Sequence, residues 1–170
     1  MKQSFTAIVL AAAASVAFAA GEAKLDKADK DFIEKAAAGG MLEVQWGKLA
    51  EAKAQNSEVK SYASMLVKDH SAANDELKTL AQGKGVTLPA ALPKHEQGEL
   101  DKVGKAKNFD HEFMEENVED HKKDVKDFEK ASKSAKDPDV KAFATKTLPT
   151  LKSHLQQAEA LEKSLKNKKS

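Results

Sequence analysis

From Ser57 to Gly83 the apolar residues Val59, Ala63, Leu66, Ala73, Leu77 and Leu80 return at steps of four and three, with His70 filling the one gap. At 3.6 residues per turn that spacing draws a single buried stripe down a helix, and it suits no strand. Three further stretches carry the same pattern. The chain is therefore read as all-α: four amphipathic helices that bury their stripes against one another.

The helix ends are marked locally. The first helix is expected over about Asp29 to Ala54, capped by Asp26, Asp29 or Asp31, the last with Glu34 as its capping-box partner. Its inward stripe reads Phe32, Ala36, Gly40, Glu43, Gly47 and Ala50. The second starts at Ser57 as N-cap and stops at Gly83 or Gly85. The third runs from Asp110 to Ser134 with Phe113, Asn117, His121, Val125 and Phe128 on one face. Asp137-Pro138 opens the fourth, whose seam is Val140, Ala144, Thr147, Leu151, His154, Ala158 and Leu161. Pro149 should kink it, and the Lys-rich end from Lys163 to Ser170 should fray. Residues 86–107, with breakers Pro89 and Pro93, form a long connection between the second and third helices, with a short helical piece near Lys94 to Val103.

Each long helix carries one costly residue on its buried face: Glu43, His70, His121 and His154. The helix midpoints fall near residues 42, 70, 122 and 151, so all four lie at one level to within roughly 4–5 Å along the axis. A carboxylate and three imidazoles inside an apolar bundle are expensive to desolvate unless something binds them. One Glu and three His suit a single divalent ion, and the residue types do not choose among zinc, iron, copper and nickel. The other reading is a metal-free hydrogen-bonded network, pH-sensitive through its histidines, in a structural or stress-protective envelope protein.

Neighbouring polar residues are weighed by register. Asp69 diverges from His70 by about 100° and reads as a solvated or supporting group, not a ligand. Asn117 stands one turn before His121, where its amide could orient the imidazole, although Asn is usually exposed and the bundle rim is its expected place. His95 lies in the connection and His111 off the seam. Gly39, Gly40 and Gly47 bracket Glu43, either for close helix packing or to leave room beside the carboxylate.

Composition excludes other classes. The 28 basic residues are all Lys and nearly cancel 27 acidic ones, so neither an electrostatic field nor the bidentate phosphate reader Arg argues for nucleic acid. No nucleophile motif, Gly-rich phosphate loop or Cys-based zinc pattern supports a hydrolase or nucleotide enzyme. Residues 1–19 read as an export signal: Lys2, the apolar run Ile8 to Ala14, then Ala17-Phe18-Ala19 before a cut at Ala20. Residues 20–170 then form one domain, periplasmic or secreted, with no integral membrane segment after signal cleavage.

Asp31-Phe32, Ala36 to Gly40, Glu43, Asp69-His70, Phe109-Asp110, His121, Leu148-Pro149 and His154 together resemble an exported bacterial family, domain of unknown function 4142. Its members are often labelled predicted outer membrane proteins. The resemblance spans nearly the whole mature chain and implies a ferritin-like four-helix bundle in the cell envelope, with no established activity. The sequence departs from conventional di-iron proteins of that fold, which use Glu-x-x-His: Val67, Val118 and Leu151 stand three residues before the three histidines.

Overall fold

The computed structural model describes residues 25–167, and the expected export signal lies outside them. The described residues form helices α1 (Lys27–Lys53), α2 (Ser57–Gly83), α3 (Lys94–Gly104), α4 (Phe109–Ser134) and α5 (Pro138–Asn167), with no strand among them. None of these helices is long and apolar enough to cross a membrane.

Side-chain oxygens set the helix starts. Asp26 accepts from the Ala28 amide and caps α1. Asn56, not Ser57, caps α2 by accepting from Glu58 and Val59. Asp137 accepts from Asp139 and Val140 and caps α5, as its pairing with Pro138 signals. The Lys-rich end does not fray at Lys163: α5 stays helical through Asn167, with Leu161 and Leu165 packed on the core. Pro149 sits on the exposed face within that helix.

Two aspartates lock the helix pairs together, and they also reveal the direction of each helix. Asp110, at the start of α4, accepts from the Gln55 and Asn56 amides in the α1–α2 turn. Asp29, at the start of α1, accepts from the Lys136 and Asp137 amides in the α4–α5 turn. Each satisfies backbone N–H groups that a turn leaves without a helical partner. Lys84, just past α2, pairs with Asp137 and Asp139 at that same end. Thus α2 and α4 run parallel, α1 and α5 run parallel to each other, and every neighbouring pair among these four is antiparallel. The ring order is α1–α2–α5–α4. The segment after α2 climbs the whole length of the molecule, and α3 packs over α1 and α4 through buried Val103.

The buried face of α1 is wider than a single stripe. Ile33, Ala37, Leu42 and Trp46 are buried, whereas Phe32 and Ala36 are only half-buried. The cause is that α1 packs against α2 on one side and against α3 and α4 on the other. The core itself has two apolar parts. One gathers Leu42, Trp46, Leu66, Phe113 and Met114 near the α1–α2 turn; the other gathers Ile33, Leu77, Phe128, Phe143 and Leu151 towards the opposite end. The buried polar residues Glu43, His70, Asn117, His121 and His154 belong to neither part.

Candidate metal centre

His70 of α2, His121 of α4 and His154 of α5 converge, each offering one ring nitrogen, with these nitrogens all within 4.8 Å of one another. Their ring centroids are 5.3 to 5.5 Å apart. The three residues are 6%, 0% and 1% exposed. Their positions follow from the seams, since each sits at the middle of its helix on the buried stripe.

The hydrogen bonds assign the ring protons. His121 Nδ1 lies 3.0 Å from the Asn117 carbonyl oxygen, which can only accept, so Nδ1 carries the proton and Nε2 the lone pair. His154 Nε2 lies 3.1 Å from Asp69 Oδ2, and donation to that carboxylate leaves the lone pair on Nδ1. These two lone-pair nitrogens, His121 Nε2 and His154 Nδ1, face each other at 3.3 Å. Neither has a proton to give the other. His70 Nε2 is also buried with no hydrogen-bond partner.

Burial pushes the His70 imidazole well below its usual range, and the neighbouring His121 and His154 add to this. Burial lowers His121 as well, against the pull of Asp124 and Asp120, and lowers His154 against its bond to Asp69. All three are thus neutral at neutral pH, which is the form that coordinates metal.

Glu43 stands behind His121, apart from the converging nitrogens. It is fully buried, accepts from Asn117 Nδ2 at 3.0 Å, and places Oε1 3.3 Å from His121 Nδ1. That oxygen gains no hydrogen bond there, because the Nδ1–H is directed at the Asn117 carbonyl. Burial raises the Glu43 carboxyl to about 8. Burial and then the Glu43 charge raise Asp120 to about 7, and burial and then Asp120 hold Asp124 well above the carboxylate range. Glu43 and Asp120 are within hydrogen-bonding reach, so a proton on either one joins them.

Asn117 is not at the rim. It is wholly buried, and its backbone carbonyl, not its amide, orients His121. Its side chain joins Glu43 to Tyr62, whose hydroxyl donates to Asn117 Oδ1 at 2.5 Å. Asp69 turns away from His70, as its register implies, and meets His154 of α5 instead. His95 is exposed and His111 lies beside Glu115 of its own helix, and neither joins the three converging histidines. Tyr62, Asp120 and Asp124 were not anticipated from the sequence. Their signal was register: Asn117, Asp120, His121 and Asp124 share one face of α4, and Tyr62 lies two turns before His70.

Residues 14–161 match the family described as Domain of unknown function (DUF4142). The chain belongs to that family. No curated protein matches it. Among solved structures, this DUF4142 chain is similar to a DUF305 fragment from Deinococcus radiodurans, with TM-score 0.71 and 11% identity over 82% of this chain and 98% of that one. It is also similar to CopM in the Cu(I)-bound form, with TM-score 0.69 and 20% identity over 81% and 96% of the two chains. The Cu(II)-bound form of CopM gives 0.70 and 20% over 81% and 97%. At such identities the likeness is one of fold.

Proposed function

We propose that this chain is an exported metal-binding helical protein that holds one transition-metal ion with His70, His121 and His154. The observation that carries the reading is the 3.3 Å approach of His121 Nε2 and His154 Nδ1, two lone pairs turned towards each other. A metal-free network needs a donor between them, and both ring protons are already committed outwards, to Asn117 and Asp69. Metal–imidazole bonds of about 2.0–2.1 Å put ligand nitrogens roughly 3.3–3.6 Å apart, a spacing this pair already has. Glu43, Asn117 and Tyr62 back His121, and Asp69 backs His154, in the manner of groups that hold ligand imidazoles in one orientation. In this reading Glu43 supports the site from behind His121.

The architecture is consistent with a ferritin-like four-helix bundle: two antiparallel pairs joined by one long crossover. Residues 1–19 read as an export signal in the sequence, and that reading supports a mature chain in the periplasm or outside the cell. CopM has been solved in Cu(I)-, Cu(II)- and Ag-bound forms, which adds silver to zinc, iron, copper and nickel among the ions to try.

The test is elemental analysis of the untagged mature protein, with melting curves of wild type and His121→Ala in chelator and in each metal. Metal that raises the wild-type melting temperature and leaves the variant unmoved supports the site. If no metal shifts wild type more than the variant, a structural or stress-protective protein with a buried hydrogen-bond network becomes the better account.

A further inference from the structure

We propose that the ion taken by this site is monovalent and three-coordinate: the cuprous ion, with silver(I) as its chemical mimic, in preference to zinc and other divalent ions. The inference rests on the reading above that the three histidines bind metal.

The donor set is the first argument. Among the described residues the converging donors are three imidazole nitrogens, and no carboxylate joins them. Asp69 is engaged by the outer nitrogen of His154, and Glu43 faces the Nδ1 edge of His121. Zinc sites close with a fourth ligand or keep water in that position. A d10 monovalent ion is satisfied by three nitrogens.

Charge is the second argument. With exposures of 0% and 1% at His121 and His154, an ion here sits in a weakly polarisable interior. The cost of taking an ion out of water grows as the square of its charge, so a divalent ion costs about four times a monovalent one. Three neutral imidazoles offset none of that charge. Among the described residues, Asp69 is the carboxylate hydrogen-bonded to a ligand ring, and it sets a negative charge close to the ion from outside the donor triangle.

Geometry is the third. The His121–His154 spacing of 3.3 Å already suits two bonds to one ion. His70, the most exposed of the three, completes the triangle by closing in by about 1 Å, given the ligand spacing above.

The experiment uses the metal-free mature protein under anaerobic conditions. Cu(I) is titrated against a chromogenic cuprous chelator, and Ag(I), Cu(II) and Zn(II) are titrated by calorimetry. We expect one equivalent of Cu(I) and of Ag(I), with Zn(II) and Cu(II) about 100-fold weaker. X-ray absorption of the copper form should show three nitrogen neighbours. Binding should vanish in His121→Ala and in His70→Gln, the second being the milder change at the more exposed ring. Circular dichroism confirms that the variants tested are folded. Zn(II) or Cu(II) binding as tightly as Cu(I), or a four-coordinate spectrum, with binding still lost in the variants, overturns the monovalent assignment and leaves the histidine site standing. Absence of stoichiometric binding by any of these ions, or binding indifferent to both variants, overturns the site and this inference together.

Discussion

Asp69 Oδ2 on α2 accepts from His154 Nε2 on α5 at 3.1 Å, and this one contact decides which nitrogen of His154 faces the interior. The Asp69 side chain is itself about one-third exposed, so it can stabilise charge at the edge of the centre without being fully desolvated. Asp69→Asn should lower metal affinity by about 10–100-fold, because an amide can present its N–H to the ring and reverse the tautomer. The apo melting temperature should move little. Calorimetric affinity unchanged in the variant would remove Asp69 from the metal centre.

Bound metal should stabilise the fold by mass action, about 2.7 kcal/mol at a free concentration 100 times the dissociation constant. Burial lowers all three imidazoles from their ordinary value of 6.5. Protons therefore compete with metal only below the usual histidine range. Metal retention followed by equilibrium dialysis from pH 7.5 downwards should persist through pH 6.5 and fall at lower pH. Release centred above pH 6.5 would mean that the ligands are not these depressed histidines.

The sign is opposite for Glu43. Its folded value of about 8 lies above its ordinary 4.5, so the folded protein keeps a proton that the unfolded chain gives up as pH rises. Its contribution is intact below pH 4.5, falls between 4.5 and about 8, and is level above that. Glu43→Gln keeps the Asn117 bond and removes this loss. Apo Glu43→Gln should match wild type near pH 4.5 and exceed it by on the order of 2–4 kcal/mol at pH 8.5, in urea unfolding. Parallel pH profiles would place Glu43 in a wetter environment than its full burial implies.

The glycines of α1 should not behave alike. A Cβ on Gly47 would meet Val67 Cγ2 at 2.6 Å and the Ala63 carbonyl oxygen at 3.0 Å, so part of α2 must shift. Gly47→Ala should cost about 1–3 kcal/mol despite its gain in helix propensity. At Gly39 the nearest atom is Asp124 Oδ1 at 3.8 Å, an ordinary contact. Gly39→Ala should stabilise by up to about 1 kcal/mol. Gly40 faces the end of the Asn74 side chain, so Gly40→Ala depends on whether that half-buried amide can turn away. Melting of the three variants checks the order; Gly47→Ala as stable as wild type would contradict the close α1–α2 packing.

Much of this was legible in the chain. Threes-and-fours spacing determined that it is helical, which face of each long helix is buried, and that Glu43, His70, His121 and His154 share one level. Those are properties of a single helix, set by its own repeat and rise. Periodicity carries no record of which helix lies beside which, so the ring order α1–α2–α5–α4 and the downward run of α4 beside α1 were left to tertiary packing. Nor does it say which edge of an imidazole faces its partners. For His154 that choice is made by Asp69, 85 residues away, and for Asn117 burial is completed by Tyr62, 55 residues away. Glu43 illustrates the difference: its level and inward face were readable, but its place behind His121 depends on the rotation of α1 against α4. Facing and rotation are settled by side chains meeting across helices, and one helix's sequence holds only half of each meeting.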